Sequence, residues 1–172
     1  MEVDSYELQQ VINHVFKKEV KFSGFSIESC RSMVAMMDAD ESGKLGFDEF
    51  IQLWRNLRTW TEIFKRHDKD KSNTIHAGEL KDAFREVGIN LNRNILRLLV
   101  NRFGKTSKNG LEDDIAFDDF ICCALKMKKT IEVWNNKKQR GFPNAFSILT
   151  RSVFDNRSGV ESTFTLEEVC FY

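Results

Sequence analysis

The sequence has almost no proline, no excess charge of either sign and no long apolar run. Pro143 is the only proline among 172 residues, so little in the chain would interrupt long helices. The 26 basic and 26 acidic residues balance, which excludes a global field that would attract nucleic acid. No apolar stretch is long enough to span a bilayer, and no signal-peptide core follows Met1. These absences predict a cytoplasmic protein that binds no nucleic acid.

Disulfide and catalytic patterns are also missing. The four cysteines follow no C-x-x-C spacing, which favours reduced, buried thiols over a disulfide framework. Cys30 lies among methionines at helical spacing, which is typical of a core position. None of the cysteines or histidines lies in a segment typical of a papain-like nucleophile or base. We therefore predict no enzyme activity within this chain.

Residues 37–50, MDADESGKLGFDEF, crowd acidic side chains around a single glycine. Their spacing matches a twelve-residue calcium loop with an acid at position 12. The predicted ligands are Asp38, Asp40, Ser42, Lys44 (through its carbonyl) and Glu49. Gly43 at position 6 permits the positive φ that bends such a loop. The alternative is an exposed acidic turn. We call residues 38–49 the first acidic loop.

The same spacing returns thirty residues later, in residues 68–79, the second acidic loop. Its predicted ligands are Asp68, Asp70, Ser72, Thr74 (through its carbonyl) and Glu79. Asn73 replaces the glycine and tolerates the left-handed conformation better than most residues. Neighbouring basic residues predict weaker binding than in the first loop, and His76 is expected to face solvent. Loops of this charge fit a Kd of about 10⁻⁷ to 10⁻⁴ M. The alternative is a loop that has lost its metal.

Apolar residues at helical spacing join the two acidic loops without glycine or proline, which predicts one continuous helix. The loops would then lie about 27 Å apart and could not pair with each other. Each needs another partner to form its short strand pair. Upstream, Val3 is placed to pair with Leu45, with Glu7 as the acid at position 12. Downstream, Ile115 would support the second loop, with Asp119 at position 12.

The downstream loop that ends at Asp119 has a poor set of ligands in its front half, which favours a structural pairing loop. The alternative is weak calcium binding. The acids available for it are Glu112, Asp113, Asp114, Asp118 and Asp119.

A fifth unit spans residues 155–168, two residues too long for a calcium loop. Arg157 stands where a carboxylate belongs, so we predict no calcium there. Phe164 would be its strand residue. Because five hands leave one unpaired, the fifth would pair with the same hand of another subunit across a twofold axis.

The predicted fold is all-α, with about eight helices and short β pairings between loops. One domain, 1–172, would contain five helix–loop–helix hands. These are 1–19 (a partial first hand), 26–65, 50–90, 92–134 (degenerate) and 144–172 (degenerate).

The chain resembles the penta-EF-hand family and, within it, the C-terminal domain of calpains. The segments that carry the resemblance are GFSIESCRSMVAMMDADESGKLGFDEF, FDDFICCALKM and TFTLEE. It implies a calcium-binding regulatory and dimerisation module of a calcium-dependent cysteine protease, without the protease core. The partner would be a second copy or a calpain subunit, bound through the fifth hand. The family's first hand also binds calcium; here only Glu7 of that site remains.

Several departures from the family pattern and several alternatives stay open. Residues 135–152 are longer than the family's usual connection, and only 169–172 follow the fifth loop. The partial first loop predicts that the protein continues upstream of Met1. A free-standing adaptor resembling sorcin, which binds target peptides or membranes, would use the same calcium loops, whereas a purely structural dimerisation module would bind none. Residues 126–140 form a basic amphipathic stretch that suits either an anionic lipid surface or a solvated helix face.

Overall fold

The computed structural model describes residues 2–106, 113–139 and 169–171. Within these ranges the helices are α1 (Ser5–Glu19), α2 (Ile27–Met37), α3 (Phe47–His67), α4 (Ala77–Glu86), α5 (Arg93–Phe103) and α6 (Phe117–Gln139). The strands are β1 (Glu2–Val3), β2 (Leu45–Gly46), β3 (Thr74–Ile75), β4 (Ile89–Leu91), β5 (Lys105–Thr106), β6 (Asp113–Ala116) and β7 (Val169–Phe171). The predicted all-α fold with short strand pairings is confirmed. Residues 144–168 of the predicted fifth hand, including Phe164, lie outside the described residues.

Helix α3 runs without a break from the first acidic loop to the second, as the apolar spacing predicts. Its 21 residues correspond to a length of about 31 Å. It begins after Gly46, whose N–H is accepted by the Glu49 carboxylate. It ends where the N–H of Asp68 reaches the carbonyl of Phe64. The first turn of this helix therefore contains the end of the first acidic loop, and the second acidic loop begins directly after its last residue.

The short strands pair the loops in the predicted combinations. Strand β1 lies antiparallel to β2, with Val3 opposite Leu45. Strand β3 lies antiparallel to β6, with Ile75 opposite Ile115. All four side chains are buried. Each pair joins one acidic loop to a neighbouring loop rather than the acidic loops to each other.

Two further pairings are not foreseen by the sequence. Strand β5 lies antiparallel to β6, with Lys105 opposite Asp114. Strand β4, between α4 and α5, lies antiparallel to β7, with Asn90 opposite Cys170. Strand pairings of two or three residues are too short to show an alternation of apolar side chains in the sequence. Their partners therefore become apparent only in the folded structure.

An aromatic cluster forms the centre of the core. Phe64 on α3 contacts Phe117 and Phe120 on α6, with ring centroids 5.0 Å and 5.4 Å apart. Trp60, one turn earlier on α3, contacts Phe120 and Phe84. Five apolar residues of α6 are buried or packed against the core: Phe117, Phe120, Ile121, Ala124 and Ile131. Helix α6 is thereby fixed against α3.

Buried thiols lie in this core, as the spacing predicts. Cys30, Cys122 and Cys123 are free and buried. Burial raises the pKa of Cys30 to about 12 and that of Cys122 to about 11. Burial also raises the pKa of Cys123. These thiols stay protonated near neutral pH, so they are poor nucleophiles.

No helix within residues 2–106 and 113–139 combines the length and apolarity that crossing a membrane requires.

Glu19, the last residue of α1, is held by two basic side chains of α3. Lys65 Nζ lies 3.0 Å from one carboxylate oxygen, and Arg58 pairs with the other. Burial on its own raises the pKa of Glu19, but the hydrogen bonds and charges of Lys65 and Arg58 outweigh it and lower the pKa below 4.5. The charged carboxylate therefore stabilises the folded chain.

We expect Glu19→Gln to lower the free energy of unfolding at pH 7 by about 1 kcal/mol. Because the folded pKa is depressed, this contribution is complete above the unfolded pKa of 4.5 and is lost as pH falls through the folded pKa. Urea unfolding between pH 7 and pH 3 should show the two proteins converging at low pH. Glu28→Gln, which breaks an exposed pair with Arg31, is the control and should have a smaller effect. A pH-independent difference would contradict the assignment.

Candidate metal centre

The first acidic loop brings three carboxylates together between α2 and α3. One oxygen from each of Asp38, Asp40 and Glu49 lies within 4.8 Å of the other two. Asp38 directly follows α2, and Glu49 is the third residue of α3, so the ends of two helices hold the cluster. Predicted ligands that are far apart in sequence therefore converge.

Two left-handed residues bend each loop. In the first loop φ is +59° at Glu41 and +80° at Gly43. In the second it is +55° at Lys71 and +61° at Asn73. The conformations of Gly43 and Asn73 match the sequence prediction, whereas those at position 4 do not follow from residue type. The common pattern shows that both loops adopt one backbone path.

Asp38 organises the front of the first loop. Its Oδ1 accepts the N–H of Ser42 at 3.0 Å, and its Oδ2 accepts the N–H of Gly43 at 2.7 Å. Asp40 Oδ1 also accepts the Ser42 N–H, at 3.1 Å. The Ser42 hydroxyl donates to the Lys44 carbonyl at 3.1 Å.

Glu49 closes the first loop from its far end. Its Oε1 accepts the N–H of Ala39 at 2.7 Å, and its Oε2 accepts the N–H of Gly46 at 2.9 Å. The carboxylate therefore reaches from the start of α3 back to position 2 of the loop. This is the reach that the sequence predicts for an acid at position 12.

The second loop repeats the front of the first contact by contact. Asp68 Oδ1 accepts the Ser72 N–H at 3.0 Å, and Oδ2 accepts the Asn73 N–H at 3.1 Å. Asp70 Oδ1 accepts the Ser72 N–H at 3.0 Å. The Ser72 hydroxyl donates to the Thr74 carbonyl at 3.2 Å. Loop positions 1, 3, 5, 6 and 7 thus make equivalent hydrogen bonds in the two loops.

Glu79 repeats the role of Glu49. Its Oε1 accepts the Lys69 N–H at 3.1 Å, and its Oε2 accepts the His76 N–H at 3.3 Å. His76 does more than face solvent as predicted: its Nδ1 accepts the Glu79 N–H at 3.3 Å and caps α4. The imidazole is 41% exposed, so one edge still contacts water.

The loop carboxylates differ in their affinity for protons. Ser42, through its side chain and backbone N–H, lowers the pKa of Asp40, and Ser72 does the same for Asp70. Burial raises the pKa of Asp68, and the adjacent Asp70 adds to that shift. Burial therefore works against the charged form of Asp68 at the front of the second loop.

The two loops are not equally convergent. In the part of the chain that the structure describes, only the first loop gathers three carboxylate oxygens within 4.8 Å. Weaker binding in the second loop stays a prediction, and this difference agrees with it.

The loop between α5 and α6 has a different arrangement. Asp119 Oδ2 lies 2.7 Å from the ammonium of Lys105. Burial raises the pKa of the neighbouring Asp118, and the charge of Asp119 raises it further. Glu112 lies outside the described residues. Asp119, one of the acids available for weak calcium binding, therefore already has the Lys105 ammonium beside it.

The donor chemistry of the acidic loops fits one class of ion. In the first loop three carboxylates converge and the Ser42 hydroxyl donates to the Lys44 carbonyl, and no sulfur or imidazole nitrogen joins the described cluster. Calcium is a hard cation that takes six to eight oxygens in a flexible shell. The residues present therefore fit a calcium ion.

Comparisons with known proteins agree with this geometry. A family model described as an EF-hand domain matches residues 59–89, which contain the second acidic loop. Calpain small subunit 1 of Rattus norvegicus is 38% identical over 143 residues, covering 82% of this chain and 51% of the relative. The Homo sapiens protein of the same name is also 38% identical, with 52% of it covered. These matches support the calpain-like penta-EF-hand family for this chain.

The chain spans about half the length of the curated relatives it matches. A solved structure of a homologue of programmed cell death 6 protein from Leishmania major Friedlin covers 80% of this chain, and 75% of that chain is covered. Its TM-score is 0.52 and its sequence identity 17%, so the likeness concerns the fold alone.

Proposed function

We propose that this chain is a calcium-binding regulatory and dimerisation module of a calpain-type cysteine protease and has no protease activity of its own. The observation that carries the proposal is the convergence of Asp38, Asp40 and Glu49 at the start of α3. Its relatives, named calpain small subunit 1, supply the regulatory context.

Two calcium sites are proposed, one in each acidic loop. The first would use Asp38, Asp40, Ser42, the Lys44 carbonyl and Glu49. The second would use Asp68, Asp70, Ser72, the Thr74 carbonyl and Glu79. The matching hydrogen bonds of the two loops support one assignment for both.

Helix α3 is the element that would carry information between the sites. Glu49 lies in its first turn, and Asp68 directly follows its last residue. Bound calcium would neutralise the clustered carboxylates of each loop. Residues of α3 between the loops, including Trp60 and Phe64, pack against Phe120 of α6. A shift of either end of α3 would therefore alter the packing of α6.

The proposed partner is a calpain catalytic subunit or a second copy of this chain, bound through the fifth hand in the cytoplasm. Sedimentation velocity with and without a calpain catalytic subunit tests this. Association at micromolar concentrations supports a regulatory subunit. Binding to neither partner, together with calcium-dependent binding of target peptides or vesicles, would favour the adaptor function.

Isothermal titration calorimetry tests the calcium assignment. We expect two calcium ions per chain, with Kd values between about 10⁻⁷ and 10⁻⁴ M, and weaker competition by magnesium. Magnesium prefers a smaller octahedral shell that these loops do not impose. The absence of calcium-dependent heat and of any stability change would contradict the proposal and favour a purely structural module.

A further inference from the structure

The hairpin of β5 and β6 brings a lysine to the carboxylates at the start of α6. Lys105 lies opposite Asp114 in the register of this hairpin. Its ammonium reaches Asp119, with 2.7 Å between Nζ and Oδ2. Asp119 is the third residue of α6, the same helix position as Glu49 in α3 and Glu79 in α4.

The acid at this helix position behaves differently in α6. In α1, α3 and α4 it is a glutamate whose carboxylate accepts the N–H of the residue just before the helix, at 3.0 Å for Glu7, 2.9 Å for Glu49 and 3.3 Å for Glu79. Asp119 is one methylene shorter. Its buried Oδ2 makes no hydrogen bond of normal geometry within the described residues. Its contact with Lys105 is therefore a charge–charge contact.

The surroundings favour a permanent pair. Asp118 and Asp119 put two carboxylates side by side at the start of α6, and Lys105 is the cation that faces them. The Asp119 side chain is 26% exposed and that of Lys105 68%, so the carboxylate is the more enclosed partner. The lysine belongs to a strand paired with β6, which brings it to the acid without any ion.

We propose that the Lys105 ammonium takes the place of a divalent cation at the α5–α6 loop. Of the two loops that β3 and β6 join, the second acidic loop then holds a metal ion and the α5–α6 loop holds the ammonium of its own Lys105. This rests on the proposed calcium function of the second acidic loop. Ile75 and Ile115 join the second acidic loop to the α5–α6 loop, whose acid is permanently neutralised by Lys105. The second acidic loop therefore binds calcium without cooperativity from the α5–α6 loop.

The number of bound ions tests the proposal first. By equilibrium dialysis with calcium alone, Asp119→Asn should keep the wild-type ion number, whereas Glu79→Gln should lower it by one. Loss of one ion in Asp119→Asn would overturn the proposal. If Glu79→Gln also retained the wild-type number, the calcium assignment of the second acidic loop would fail instead.

Thermal unfolding in a chelating buffer tests the ion pair without any calcium. Lys105→Met and Asp119→Asn are each expected to lower Tm by about 2 °C, and the double variant should be no less stable than either single one. Lys81→Met removes an exposed lysine of α4 as a charge control and should leave Tm unchanged. Strictly additive shifts, or none, would overturn the proposal even if the calcium sites are correct.

Discussion

Replacing Glu49 by glutamine should remove one of the two calcium ions and weaken the first acidic loop by at least about 100-fold. Glu49 supplies a carboxylate to the cluster with Asp38 and Asp40, and both its oxygens already reach across the loop. A neutral amide halves that oxygen set and replaces one acceptor by a donor. Calorimetric titration of the variant should show one remaining site per chain.

Glu41→Gln is the matched control for this experiment. Glu41 lies in the same loop, is exposed and is not a proposed ligand, and its substitution changes the net charge equally. It should keep two ions and nearly wild-type affinity. Equal losses in the two variants would mean that general charge, and not coordination by Glu49, governs binding.

Phe64→Ala should lower the free energy of unfolding of the calcium-free protein by about 3–5 kcal/mol. The side chain is 1% exposed and lies between the rings of Phe117 and Phe120. Its loss leaves a cavity where α3 meets α6, and the surrounding helices relax only partly. Urea unfolding in a chelating buffer measures the change.

Phe47→Ala provides the comparison on the same helix. Phe47 is 61% exposed at the start of α3, so the same substitution should change stability by no more than about 0.5 kcal/mol. Similar losses for Phe47 and Phe64 would contradict the placement of the core between α3 and α6.

Much of the fold follows from local spacing in the sequence. The continuous α3 is predicted by apolar periodicity without glycine or proline, and the structure confirms it. The strand pairs of Val3 with Leu45 and Ile75 with Ile115 follow from the position of each residue in its loop. These features are predictable because each depends on a short, repeated pattern.

Residue type predicts only part of the backbone geometry of the acidic loops. Residue type indicates a left-handed conformation for Gly43 and Asn73, but not for Glu41 and Lys71, whose φ is set by the path of the loop. His76 caps α4 because its backbone lies just before that helix. The metal ligands themselves stay proposals, and so does pairing through the fifth hand.

The lysine of the α5–α6 loop shows the limit of sequence reasoning most clearly. Lys105 and Asp119 are separated by residues that give no strong strand signal, so their contact depends on the β5–β6 hairpin. The sequence favours a structural pairing loop here and leaves weak calcium binding as the alternative, and the folded chain places the ammonium of Lys105 beside Asp119. The two residue pairs of the β5–β6 hairpin, Lys105 with Asp114 and Thr106 with Asp113, bring the lysine to this acid.

Anomalous diffraction from crystals grown in millimolar calcium tests most directly whether the two acidic loops hold metal. Two strong peaks per chain are expected, one among Asp38, Asp40 and Glu49 and one among Asp68, Asp70 and Glu79. Ordered water without an anomalous signal in both loops would contradict the calcium assignment.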